Sequence, residues 1–219
     1  MSKWQGLYVI GLTGGIASGK STVSSMLSEL GAVIIDADRL TREVQSPSSG
    51  ALEEIRTAFG DEVILPDGSL DRRKLAEVVF RDRDALELLG SIIHPRVIAR
   101  TEELLREMQS AALEEGRVRI VVVDAPLLLE AGVDRITDEV WVVALCRDEQ
   151  VRRLMKREGY TRDEALSRID SQMPLEEKKK RADHIIDNSG SVQETKEQVF
   201  TLWQSLERRS SAGSRNSPA

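Results

Sequence analysis

The sequence predicts an α/β fold, a five-stranded parallel sheet flanked by helices, with a helical insertion and a short lid. Three observations carry this reading. Short apolar runs without polar alternation recur at residues 7–12, 32–35, 120–123, 139–145 and 184–187, as expected of strands covered on both faces. Segments of helical period separate them. A glycine-rich turn stands between the first run and the first helical segment.

That turn is Leu12-Thr13-Gly14-Gly15-Ile16-Ala17-Ser18-Gly19-Lys20-Ser21-Thr22. From Gly14 to Ser21 it has the spacing G-x-x-x-x-G-K-S. Glycines let backbone N–H groups curl around a polyphosphate, the lysine reaches the terminal phosphates, and the serine hydroxyl ligates magnesium. The motif needs a strand before it and a helix after it. Both are present, because Val23, Met26, Leu27 and Leu30 follow Lys20 at helical spacing. A helix N-terminus aimed at the loop adds its dipole and free N–H groups. Residues 14–22 are therefore the expected nucleotide cradle.

The chain has 219 residues, 40% hydrophobic and 31% charged, with a formal net charge of −6. This is the profile of one main globular domain with insertions. No uninterrupted apolar run approaches the roughly 18 residues needed to cross a bilayer, and no secretory leader pattern opens the sequence. A cytoplasmic address is expected. The acidic balance argues against nucleic acid as a partner. Two histidines and one cysteine disfavour a zinc site, and Cys146, at the end of an apolar run, reads as a small buried hydrophobe.

The second apolar run ends in Asp36-Ala37-Asp38-Arg39. Residues two apart on a strand point the same way, so Asp36 and Asp38 can share a face at its carboxyl end, where open parallel sheets hold ligands. Either one can instead cap the helix that follows. From residue 40 to 116 the pattern is helical, more than a simple crossover of about a dozen residues requires, so an inserted helical domain is expected. Within it Pro66-Asp67-Gly68 signals a turn, and His94-Pro95 reads as a helix start.

The third run ends in Asp124, a second strand-end carboxylate placed to approach magnesium. Glu130, just beyond it, reads either as a substrate-side carboxylate or as an exposed residue. Between the fourth and fifth runs, residues 147–181 hold eleven Lys or Arg against eight Asp or Glu. Most of these, Lys178 to Lys180 included, read as a solvated face. Arg153 and Arg157, one helical turn apart, are placed to meet a transferring phosphate if this segment closes as a lid. Gly159-Tyr160-Thr161 supplies a turn or hinge. The last helical segment carries Val192, Thr195, Val199, Leu202, Trp203 and Leu206 on one side and reads as packing on the sheet. The tail beyond Arg209 lacks a large apolar anchor, and disorder is expected there.

An ordered series of motifs resembles the dephospho-CoA kinase family. It includes the loop at 12–22 and Asp36-Ala37-Asp38. It continues with Asp67-Gly68, Leu70-Asp71-Arg72 and Phe80, then His94-Pro95, then Pro126-Leu127-Leu128 with Glu130. It ends with Gln150, Arg153 and Arg157, Gln172-Met173-Pro174, and Ala182-Asp183 to Gly190. The resemblance runs to about Leu206. One departure is Ala17, where the family often has glycine, a change that fits if the backbone there is ordinary.

The resemblance implies a P-loop kinase that phosphorylates the ribose 3'-hydroxyl of dephospho-CoA with ATP and Mg2+. It also implies three parts. The nucleotide core takes residues 1–37, 117–147 and 182–208, the acceptor-binding helical domain 38–116 and the lid 148–181, leaving 209–219 as a disordered tail. Lys20, Asp38 and Arg157 are the expected catalytic residues, with Asp38 orienting the acceptor hydroxyl and accepting its proton. Ser21 holds magnesium directly, and Asp36 or Asp124 through water. Arg153 and Asn188 join residues 14–22 as nucleotide contacts, Asn188 beside the adenine. The expected partners are the two small-molecule substrates, with neither nucleic acid nor membrane, and the oligomeric state, monomer included, stays open. Related small-molecule kinases such as shikimate or nucleoside monophosphate kinases share the core and differ in the insertion. A GTP switch would carry a guanine-reading motif ending in aspartate, and the nearest stretch, Thr195-Lys196-Glu197-Gln198, lacks it.

Overall fold

The computed structural model describes residues 2–79 and 81–213, with side chains through Arg209. Phe80, part of the family pattern, and residues 214–219 of the expected tail lie outside the described residues. The chain divides into two compact units, Met1–Ile35 with Leu105–Ala219, and Asp36–Leu104.

The first unit is built on the five-stranded sheet, in the order β2-β3-β1-β4-β5. The strands are β1 (Leu7–Gly14), β2 (Val33–Asp36), β3 (Arg119–Asp124), β4 (Glu139–Ala144) and β5 (His184–Asp187). β1 pairs in parallel with both β3 and β4, with Leu12 opposite Asp124 on one side and Trp141 on the other. This register brings the loop after β1 and the carboxylate closing β3 to the same edge. Near-continuous burial of β1, β3 and β4 explains their unbroken apolar runs.

Helices α1 (Lys20–Glu29) and α9 (Val192–Gly213) close one hydrophobic core. Val23, Met26, Leu27, Val199, Trp203 and Leu206 pack there against Ile10, Leu12, Val122, Trp141 and Val143. Val192, assigned to this stripe by spacing, is instead exposed. α9 continues four residues past Arg209 to Gly213, beyond the start of the expected disorder. Ser-Ser-Ala offers no proline to stop an established helix, whose growth adds a hydrogen bond per residue.

The basic segment folds as α6 (Arg147–Glu158), α7 (Arg162–Asp170) and α8 (Leu175–Lys180). Gly159 ends α6 at φ 73°, and Thr161 with Glu164 forms a capping box that starts α7, so the anticipated hinge is a tight helix-to-helix turn. Val151, Leu154 and Ala165 form a small core that receives Ile16 and Ala17 of the glycine-rich loop. Cys146 is exposed at the start of α6, not buried, because the apolar run ends one residue earlier, at Leu145.

The second unit contains α2 (Ala37–Val44), α3 (Gly50–Phe59), α4 (Arg72–Val79) and most of α5 (Arg83–Glu115). Pro66-Asp67-Gly68 makes the expected turn and is closed by an antiparallel bridge between Ile64 and Leu70. His94-Pro95 does not start a helix. Pro95 lies inside the 33-residue α5. Its missing N–H costs the rung to the Ser91 carbonyl, and buried Ile92, Ile93 and Val97 hold both sides of the break.

Candidate active site

β1 ends at Gly14 and α1 begins at Lys20, so the motif lies between a strand and a helix as required. Gly19, at φ 93°, turns the chain into α1 and leaves that helix without a side-chain cap. The first-turn N–H groups of α1 thus face the loop and supply the anion-binding end of the helix. A side chain at Gly19 would collide with Asn188. Ala17 has φ 58°, the only positive φ outside glycine among the described residues. Its backbone is therefore not ordinary, and the methyl group is held in a left-handed conformation that costs roughly 1 kcal/mol.

Three amide side chains hold this loop from behind. The Ile16 N–H donates to Gln172 Oε1 at 2.9 Å, and Gln150 Nε2 donates to the Ile16 carbonyl at 2.8 Å. Asn188 Nδ2 donates to the Ser18 carbonyl at 2.6 Å, while Asn188 Oδ1 accepts from Thr195 Oγ1 at 2.8 Å. The backbone groups of Ile16 and the side chain of Asn188, both expected at the nucleotide, are engaged within the protein. Asn188 is a buried buttress of the loop. The Ser18 hydroxyl is buried without a hydrogen-bond partner.

Lys20 Nζ forms an ion pair with Asp124 Oδ1 at the end of β3. Asp124 is 8% exposed, and the register of β1 against β3 makes the pairing geometrically natural. Just beyond it, the Pro126 carbonyl accepts from Thr13 Oγ1 at 3.1 Å and from Lys178 Nζ at 2.8 Å. Lys178 is 0% exposed and pairs with Glu130 at 2.8 Å. Glu130 also accepts from the Met173 N–H at 2.9 Å. The solvated reading of Lys178 is thus overturned, and Glu130 is a partly buried carboxylate engaged by Lys178 and the Met173 N–H. Burial pushes the Lys178 ammonium below the usual lysine range, against the opposing effect of Glu130, and the charge of Lys20 adds to the lowering.

Arg153 lies beside the loop. It donates to the Asn188 carbonyl at 3.3 Å and to Glu149 at 3.1 Å. Arg157 is exposed and pairs with its neighbour Glu158. Ser21 and Thr22 are exposed in the first turn of α1. Asp36 is the N-cap of α2, its Oδ1 accepting from the Asp38 and Arg39 N–H groups at 2.9 and 3.1 Å. The capping alternative therefore falls to Asp36, and Asp38 occupies the first turn of the helix. Gly15, Cys146, Gln150 and Met173 line a cleft of about 710 Å³ next to the loop.

The described residues contain no cluster of three His, Cys, Asp or Glu side chains able to enclose a metal. Magnesium needs no such cage. It keeps several waters and takes one or two protein oxygens plus phosphate oxygens, which Ser21 and Asp124 suit.

A family model described as dephospho-CoA kinase matches residues 8–194. The chain is 48% identical over 198 residues to the dephospho-CoA kinase of Carboxydothermus hydrogenoformans, covering 90% of this chain and 94% of that protein. The chain belongs to the dephospho-CoA kinase family. In structure it is similar to a Thermus thermophilus protein (TM-score 0.71, 35% identity, 91% of this chain and 97% of that one). It is also similar to the dephospho-CoA kinase of Campylobacter jejuni (TM-score 0.66, 27% identity, 92% and 98%). The family is one of kinases, so the fold and the transferase activity expected from sequence both stand.

Lys178, Thr13 and Thr195 carry no recognisable functional signal in the sequence. Lys178 and Lys179 stand three and four residues after Leu175, the one apolar side chain of α8, so helical spacing alone does not single out Lys178.

Proposed function

We propose that this chain transfers the terminal phosphoryl group of ATP to the ribose 3'-hydroxyl of dephospho-CoA, giving CoA and ADP. The observation that carries the reading is the Lys20–Asp124 pair at the mouth of the glycine-rich loop, in a chain matched by the family over residues 8–194. The transition state of phosphoryl transfer is loose, with charge spread over the phosphoryl oxygens, so positioning and electrostatics supply most of the acceleration.

The N–H groups of Gly19, Lys20 and Ser21 cradle the phosphates, within the loop of residues 14–22. Lys20 follows the terminal phosphate and offsets the charge that develops on it, and Arg153 supports the same face from α6. Arg157 joins them if α6 and α7 shift toward the loop. Asp38 orients the acceptor hydroxyl and takes its proton as the new O–P bond forms and the bond to ADP breaks. Ser21 would hold magnesium directly, and Asp36 or Asp124 through water. When bound, the ion would supply positive charge to offset that of the phosphates. The reading includes a cytoplasmic enzyme whose partners are small molecules. No described helix is long and apolar enough to cross a membrane.

A coupled ADP-release assay with dephospho-CoA, AMP and shikimate as separate acceptors tests the reading. Rapid turnover with dephospho-CoA alone is expected. A clear preference for either other acceptor would overturn it.

A further inference from the structure

We propose that Lys178 is a positioning residue for phosphoryl transfer, setting the turn that carries Asp124 and tying it to the segment that clamps the glycine-rich loop. The inference rests on the kinase reading above. The Lys178 ammonium bonds the Pro126 carbonyl at 2.8 Å and both oxygens of Glu130, at 2.8 and 3.1 Å. Pro126 is two residues past Asp124, and its carbonyl also receives Thr13 from the strand that leads into the loop. Glu130 in turn holds the Met173 N–H, next to Gln172, whose side chain accepts the Ile16 N–H. One buried cation therefore joins three segments distant in sequence, the end of β1, the turn after β3 and the start of α8.

Stability gives little reason for a charge at this place. Desolvating an ammonium and a carboxylate offsets most of their attraction, and an apolar pair of similar volume holds a fold as well or better. An apolar pair has no donor for the Pro126 carbonyl, however, and leaves the turn beyond Asp124 free to shift. A displacement of about 1 Å at a catalytic group costs about 100-fold in rate.

The test compares the wild-type chain with Lys178→Met, Glu130→Gln and the double variant Lys178→Met/Glu130→Met. It reads Tm, the affinity for a fluorescent ATP analogue without acceptor, and kcat and KM with dephospho-CoA. The single Lys178→Met variant strands a buried carboxylate and is expected to lose Tm. The double variant is expected to regain Tm while kcat stays about 100-fold down and ATP-analogue affinity about tenfold down. Recovery of both kcat and nucleotide affinity to within about threefold of wild type, alongside recovered Tm, would show a purely structural pair and overturn the proposal. Should the double variant not fold, Lys178→Met assayed below its Tm decides, since it takes the donor from the Pro126 carbonyl, with Glu130→Gln as the control that keeps Lys178 on Pro126. A roughly tenfold loss of kcat in Lys178→Met supports positioning, and an unchanged kcat overturns it. Nucleotide affinity is read without acceptor, so a wild-type chain that ignores dephospho-CoA refutes the acceptor assignment and leaves the positioning test standing.

Discussion

Lys20 and Asp124, 104 residues apart in sequence, meet as an ion pair where the glycine-rich loop faces the end of β3. The pair places a cation and a carboxylate, each mostly buried, at the point where phosphate and magnesium would share charge.

Lys20→Ala is expected to lower kcat by about 10³-fold, because it removes charge stabilisation of the transition state rather than core packing. Circular dichroism should show a folded protein, since Asp124 keeps partial access to water. Activity within tenfold of wild type, a barrier change of only about 1.4 kcal/mol, would contradict this role.

Ala17→Gly is expected to stabilise the protein by about 1 kcal/mol or somewhat less. Relief of the left-handed strain at φ 58° exceeds the extra backbone entropy that glycine gives the unfolded chain. Urea unfolding reads this directly as a higher midpoint at unchanged slope. Ala17→Val should move the midpoint the other way, a β-branched residue being least tolerant of this backbone.

Asn188→Ala should cost about 1–3 kcal/mol, because the Ser18 carbonyl and the Thr195 hydroxyl both lose a buried partner. Asn188→Asp should be worse, setting a carboxylate against the Ser18 carbonyl where a donor is needed. In steady-state kinetics both changes should raise KM for ATP more than they lower kcat. A selective loss of adenine discrimination, with loop stability intact, would instead return Asn188 to the base.

Arg209 ties α9 to the sheet by pairing with Glu139 at 2.5 Å, and Trp141 Nε1 donates to the same carboxylate at 3.0 Å. Burial pushes the Glu139 carboxyl up, but the bonds from Trp141, Tyr8 and Arg209 outweigh it and hold the group below the usual range. A depressed folded value means stability that is full above the unfolded carboxylate pKa of about 4.3 and is lost as pH falls through the folded value. Glu139→Gln should therefore flatten the acid limb of a Tm-versus-pH curve. Ending the chain after Glu207 should lower Tm at pH 7, whereas ending it after Arg209 should leave Tm nearly unchanged.

Much of this molecule was legible from residues alone. The strand–loop–helix placement of residues 14–22, the strand-end position of Asp124 and the inserted helices follow from local rules: turn chemistry, apolar runs and helical period. These rules act over a few residues, and a linear reading sees them whole. Where two local signals competed, the reading erred. Pro95 looked like a helix start, but buried Ile92, Ile93 and Val97 carry α5 straight through it.

What sequence could not decide was which polar groups meet across long separations. Asn188 looked like a nucleotide contact, yet its amide faces Ser18, 170 residues away. Lys178, one of three consecutive lysines, looked solvated and is the buried one. Its burial depends on Pro126 and Glu130 arriving from another part of the chain to satisfy its charge. Composition and spacing name the groups able to do chemistry. Desolvation and hydrogen-bond satisfaction, which exist only once the sheet has assembled, determine which of them face the substrate and which hold the others in place.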